Sequence, residues 1–176
     1  MILRTDRLYL RPLAAGDAEA LFAIMSDEEA MRFWDWPAFK DYTTVAEIVA
    51  GQVADMAEGR ALYWAVALVT PDGGTGPVIG ACDLSEIARR QSRAELGFLF
   101  NRAWWGNGYA AEAMDAVTRY AMGELGIERL WARVHDGNDA SRRLLERLGF
   151  SYEGRLAGHI VRDGARRDCL IYGRVR

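Results

Sequence analysis

Cysteine and histidine are scarce in this chain of 176 residues, with two of each. Cys82 and Cys169 lie far apart and form no CxxC pair, so a zinc site built on them would have to recruit both His135 and His159. That spacing points away from a metal centre or a disulfide framework and towards buried, reduced thiols of a cytoplasmic protein. A basic excess is also lacking. The net charge is −3 and the pI about 5.5, which argues against a nucleic-acid backbone as the main partner and leaves a basic peptide open as substrate. The longest apolar run, "ALYWAVALV", falls far short of the roughly 20 residues a membrane span needs. The opening "MILRTDRLYLRPL" alternates charged and apolar residues, unlike a signal peptide. No repeat, low-complexity tract or linker interrupts the chain. The expectation is one domain, residues 1–176, long enough to bury roughly 68–70% of its unfolded surface.

Periodicity supplies the elements. "RLYLRPL" alternates with period two and reads as a strand. "DAEALFAIM" sets Ala18, Leu21, Phe22 and Met25 at helical spacing. "TTVAEIVAGQVADM" predicts a helix with Val45, Ile48, Val49, Val53 and Met56 on one face and a capping box of Thr44 and Glu47. Between these helices, "MRFWDWPAF" reads as a loop or short helical turn stopped by Pro37. "ALYWAVALV" and "PVIGACDLSEI" flank the Gly-rich "TPDGGTG" as a hairpin. "RAELGFLF" is a further strand. A helix closed by Gly126 follows, then the strand "IERLWARVH", a short helix capped by Asn138 and stopped at Gly149, and two closing strands. A helix joining two strands implies a parallel crossover. The fold class expected is α+β (mixed α/β), a mostly antiparallel mixed sheet of about seven strands flanked by about four helices.

One stretch invites chemistry: "RAWWGNGYAAEAM", Arg102 to Met114, where Gly106 and Gly108 open a helix. A helix N-terminus presents unpaired amides and about half a positive charge, and glycines let an anion reach the backbone. Such a loop suits a phosphate or diphosphate. Taken alone, the glycine pair equally suits a tight turn beneath Trp104 and Trp105. Gly106, Gly108 and Ala111, with Asp136 beyond, also fit the dinucleotide-binding pattern. Against that reading, "NRAWW" separates the strand from the first glycine, the motif comes at mid-chain, and too little chain remains for a doubly wound sheet.

The paired motifs "GFLFNRAWWGNGYAAEAM" and "NDASRRLLERLGF", with a strand between them and a hairpin after them, resemble the GNAT-type N-acetyltransferases. "TDRLYLRPLAAGDAEALFAIMSD" and "RAELGFLF" resemble the branch of the RimJ and RimL ribosomal-protein N-terminal acetyltransferases. The resemblance spans essentially the whole chain. It implies acetyl-CoA as co-substrate, no metal, and an acetyl group passed directly to a primary amine. The acceptor class it favours is the α-amine of a protein or peptide; small amines, antibiotics and a silent acyl-CoA-binding module are the alternatives. It also makes a homodimer compatible, with no nucleic-acid or membrane partner.

By the same resemblance, the strand matching "ELGFLF" carries a bulge and splays from its neighbour, and the pantetheine arm pairs with backbone near Phe98, Leu99 and Phe100. The diphosphate rests on the amides of Trp105, Gly106, Asn107, Gly108, Tyr109 and Ala110. Two departures from the family pattern stand out. Ala103 occupies a place where relatives carry Gln or Arg, with Arg102 one residue earlier. Leu145 occupies the place of a tyrosine that protonates the departing sulfur in many relatives. Ser141 is then expected to hydrogen-bond the leaving thiol, with Asn138 beside it as cofactor contact and N-cap. The nucleophile must be a neutral amine. A lysine (pKa about 10.4) costs roughly 3–4 kcal/mol more to deprotonate at neutral pH than an α-amine (about 7.7–8.0). Glu95 is the first candidate for the base, with His159 and Asp83 behind it. Trp34, Asp35 and Trp36, with the terminal hairpin, are expected to bound the acceptor pocket.

Overall fold

The computed structural model describes all 176 residues. Eight strands form one sheet in the order β1-β2-β3-β4-β5-β6-β8-β7. They are β1 (Leu3–Arg4), β2 (Leu8–Pro12), β3 (Leu62–Val69), β4 (Thr75–Ala88), β5 (Arg93–Phe100), β6 (Arg129–His135), β7 (Ser151–Arg162) and β8 (Ala165–Val175). Four helices flank it: α1 (Ala18–Met25), α2 (Tyr42–Ala57), α3 (Tyr109–Gly123) and α4 (Asp139–Arg147). The strand beyond the expected seven is the two-residue β1, too short to show a period.

Strand alternation explains the layering. Trp64 and Val66 of β3, Cys82 and Leu84 of β4 and Leu96 and Phe100 of β5 face one side, where they pack with Met114, Val117 and Leu145 of α3 and α4 in the larger core. Ala65 and Leu99 face the other side and join α1 and α2, through Leu21, Ile24, Val45 and Val49, in a smaller one. Each fully buried Leu or Val contributes roughly 1.5–3 kcal/mol. The start of α2 differs from expectation. Asp41, not Thr44, is the N-cap, its carboxylate accepting from Thr44 N and Thr44 Oγ1 at 2.9 Å each. Asp caps better than Thr, so the helix begins before the expected Thr44 cap. At the far end, Asp163 (φ 53) and Gly164 (φ 73) turn β7 into β8. Two positive φ values give the twist that a two-residue hairpin needs.

All neighbouring strands are antiparallel except β5 and β6. These two pair only over Arg93–Arg129, Ala94–Leu130 and Glu95–Trp131. Beyond that point β5 runs on to Phe100 along β4, and β6 runs on to His135 along β8. The sheet therefore opens in its middle. The expected bulge lies elsewhere: the extra residue is in β4, between Ser85 and Ala88, where Glu86 has φ 47, and β5 itself is regular.

Candidate active site

The glycine loop follows β5 through a short turn, Arg102–Trp104, capped by Asn101 Oδ1 accepting from Ala103 N at 2.9 Å. The Trp105 indole donates to Phe100 O at 2.9 Å, and Asn107 Nδ2 donates to the carbonyls of Trp104 and Trp105. Side chains thus hold the loop while its amides stay bare. No N–H from Gly106 to Ala111 donates to any acceptor in the chain. Gly108 is the N-cap of α3 with φ 79, and Gly106 has φ 77, a region that non-glycine residues avoid. Six unpaired amides at the positive end of a 15-residue helix fit a diphosphate.

Arg102 does not serve this loop, because it pairs with Asp27 at 3.0 Å beyond the end of α1. The nearby cation is Arg7, from the turn before β2. Its guanidinium donates to Asn107 O at 3.0 Å and lies 4.6 Å from the centre of the Tyr109 ring. Glu112, in the first turn of α3, accepts from Thr5 Oγ1 at 2.5 Å and Arg7 Nε at 2.6 Å. Partial burial would raise its carboxyl, yet these bonds hold it below the usual glutamate range.

The β4–β5 register fixes which backbone faces the opening. Asn101 N donates to Ile79 O, and pairing is continuous from Gly80–Phe100 to Ser85–Glu95. Hydrogen bonding alternates along an antiparallel strand, so the N–H groups of Leu99 and Gly97 point to β4 and that of Phe98 points into the splay. Leu99 itself is buried in the smaller core. Among the expected thiol-side residues, Asn138 caps α4, its Oδ1 accepting from Ser141 N at 3.2 Å. Ser141 is half-buried on the first turn, and Leu145 is fully buried in the larger core.

On the α1/α2 side of the sheet lies a line of polar groups. Glu95 is 7% exposed. Arg133, two residues beyond Trp131 on β6, grips both its oxygens, at 2.7 and 3.1 Å. Burial raises the Glu95 carboxyl and Arg133 opposes that shift. His135, next on this face, places Nε2 2.7 Å from Asp35 Oδ1, while its Nδ1 is buried without a partner. The His135 bond holds the Asp35 carboxyl below the usual aspartate range.

Asp35, Trp36, Arg133, His159, Ile160 and Val161 line a pocket of about 320 Å³ between the α1–α2 loop and β7. Trp34 does not reach it and packs against the smaller core. Arg162 ties the pocket's walls together, donating from Nη1 to the carbonyls of Met31 (3.0 Å), Trp34 (2.8 Å) and Trp36 (3.1 Å). Arg7, Arg133, His135 and Arg162 escaped the sequence reading. For Arg133 and His135 a signal existed: "WARVH" sets two polar residues on one face of an otherwise buried strand. No three His, Cys, Asp or Glu side chains cluster as metal ligands, and no helix is long and apolar enough to cross a membrane.

Residues 7–151 match the model of the acetyltransferase (GNAT) domain. The uncharacterized N-acetyltransferase YoaA of Bacillus subtilis is 32% identical over 99% of this chain and 97% of its own length. The ribosomal protein uS5-alanine N-acetyltransferase of Escherichia coli is 30% identical over 96% of this chain and 88% of its own length. The solved structure of the ribosomal-protein α-N-acetyltransferase RimL in complex with coenzyme A superimposes with a TM-score of 0.87, covering 99% of this chain and 98% of that one at 18% identity.

Proposed function

Because the chain belongs to the GNAT acetyltransferase family, in its RimJ/RimL-like branch, we propose that its acceptor is the α-amine of a protein or peptide N-terminus and that it acts in the cytoplasm. The enzyme is an N-acetyltransferase and its acyl donor is acetyl-CoA. Bound acetyl-CoA supplies an acyl thioester for a neutral amine to attack, leaving as the thiol. The amides from Gly106 to Ala111 hold the diphosphate, with Arg7 adding charge beside them; the Trp105 N–H, expected among them, is already given to Arg102 O at 3.1 Å and takes no part. The backbone of Phe98, Leu99 and Phe100 lines the opening for the pantetheine arm, and the Phe98 N–H polarises the carbonyl to be attacked. Ser141 donates to the departing sulfur, held in place by the Asn138 cap. Glu95 fixes Arg133 at the mouth of the acceptor pocket.

One observation carries the choice of acceptor: the pocket sets a single carboxylate, Asp35, beside the guanidinium of Arg133. A lone ammonium with carbonyl groups close behind it, as at a peptide terminus, matches that pair. A polyamine would bring further cations against Arg133. Trp36, 65% exposed at the rim, offers a flat apolar surface to the first side chain. The relative that acetylates an alanine of a ribosomal protein supports the same class. The test is thiol release from acetyl-CoA with Ala- and Ser-initiated peptides, their N-blocked forms, glycinamide and spermidine. The expected result is preference for the free peptides by at least tenfold in kcat/KM. Preference for spermidine, or equal turnover of blocked peptides that carry lysine, would refute the reading.

A further inference from the structure

Asp83 stands behind Glu95 among the sequence's candidates for the base, and the site described above leaves it unused. It lies on β4, opposite Tyr63 of β3 and Gly97 of β5. Its side chain occupies the space that a residue at 97 would otherwise fill. A Cβ added to Gly97 would fall 2.9 Å from Asp83 Cγ and 3.0 Å from Oδ2, closer than real Cβ atoms come. The absence of a side chain at Gly97 therefore seats the carboxylate against β5, one residue before the Phe98 N–H that faces the splay. Strand alternation puts Asp83 on the same face as Glu95, Arg133 and the acceptor pocket. Both oxygens of Glu95 are taken by Arg133. No arginine or lysine forms an ion pair with Asp83, and the residue as a whole is half-buried.

We propose that Asp83, rather than Glu95, takes the proton from the acceptor ammonium before acyl transfer. The assignment rests on the acetyltransferase reading above. In this step an N–H bond of the ammonium breaks and its electron pair stays on nitrogen. The proton forms an O–H bond with the Asp83 carboxylate, which later returns it to solvent. The charged surroundings suit the task. Burial above all, helped by Glu95 across the strand pair and opposed by Ser85 and Arg133, pushes the carboxyl up to about 6. On the β3 side stands Tyr63, itself pushed up to about 12 by burial and by the charges of Asp83 and Asp55. An α-ammonium of pKa about 8 gives its proton to such a group at roughly a 10²-fold disadvantage, against about 10⁴ for an ordinary aspartate.

The experiment uses the full-length protein. The Asp83 carboxyl, assigned by its disappearance in Asp83→Asn, is titrated by carbon-13 NMR in the free protein. In parallel, pH profiles of kcat/KM with acetyl-CoA are recorded for wild type, Asp83→Asn and Glu95→Gln, using the best amine of the panel above, together with coenzyme A affinity by calorimetry. The expected results are titration near pH 6 and an acid limb near pH 6 in wild type, which persists in Glu95→Gln but moves to lower pH because the charge that raised Asp83 is gone. Asp83→Asn should lose at least about 10²-fold in rate, and the limb with it, at coenzyme A affinity within twofold of wild type. Titration of Asp83 near pH 4 would overturn the assignment, as would a limb that survives in Asp83→Asn or vanishes in Glu95→Gln alone. If wild type acetylates none of the amines, the acetyl-transfer reading itself fails; active wild type with an unimpaired Asp83→Asn sinks only the role of Asp83.

Discussion

Ser141 contributes two groups to α4, and they do different things. Its backbone N–H receives the Asn138 cap at 3.2 Å, whereas its hydroxyl has no partner within the chain. Removing the hydroxyl should therefore leave the helix intact. Ser141→Ala is expected to lower kcat by about 10²-fold, the lower end for a proton donor, because a thiol of pKa near 8.5 leaves without much help. The KM for acetyl-CoA should stay within about twofold. Asn138→Ala instead removes the cap and should lower stability by about 1 kcal/mol. Steady-state kinetics and urea unfolding on the two variants separate the roles. An unchanged kcat in Ser141→Ala would remove the serine from the chemistry. Leu145, one turn on, is fully buried against the sheet and does packing work, with no proton to give.

At the scale of elements, the proposed acceptor pocket has two walls that share no backbone pairing: the α1–α2 loop and the β7–β8 hairpin. Arg162 joins them through three carbonyls, with its side chain only 10% exposed. Hydrogen bonds to a charged donor contribute roughly 1.5–3 kcal/mol, and carbonyls left unpaired in a buried place are expensive. Arg162→Ala should thus lower stability by about 2 kcal/mol and raise the acceptor KM by about tenfold, with acetyl-CoA affinity unchanged. Hydrogen exchange should rise over residues 31–39 and not in the glycine loop. Equal exchange in both regions would mean a general loss of structure rather than a freed wall. The same contrast shows what could be read from the sequence. The glycine loop was legible because its requirements are local: positive φ at Gly106 and Gly108, and a helix directly after them. Arg162 was not, because its partners lie 126 to 131 residues away. Arg7 reaches the loop from 100 residues upstream. The line of Glu95, Arg133 and His135 exists only because β5 and β6 part after three pairs, a property of the whole sheet.

For the molecule as a whole, two aspartates set opposing dependences of stability on pH. Asp17 is 5% exposed and bonded to Arg11 at 2.7 and 2.6 Å and to Ala14 N at 2.9 Å. Burial would raise its carboxyl, but these bonds together hold it below 3.8. Its contribution is therefore present above the unfolded value and is lost as pH falls through the lower folded one. Asp83 runs the other way. Its folded value of about 6 lies above the ordinary 3.8, so the fold favours the protonated form. That advantage is complete below pH 4 and disappears as pH rises through 6. At 1.36 kcal/mol per unit the swing approaches about 3 kcal/mol. Stability should consequently decline between pH 4.5 and 7, where most proteins with paired carboxylates are level or rising. Asp83→Asn removes a desolvated charge, so it should be more stable than wild type at pH 7 by up to that amount, an advantage that shrinks to about 1 kcal/mol at pH 4.5 and vanishes only below the unfolded value. Urea unfolding at the two pH values measures this. A variant that loses activity while gaining stability at neutral pH would mark Asp83 as a group kept strained for its task, whereas a loss of stability at pH 7 would show the carboxylate to be a structural member of the sheet.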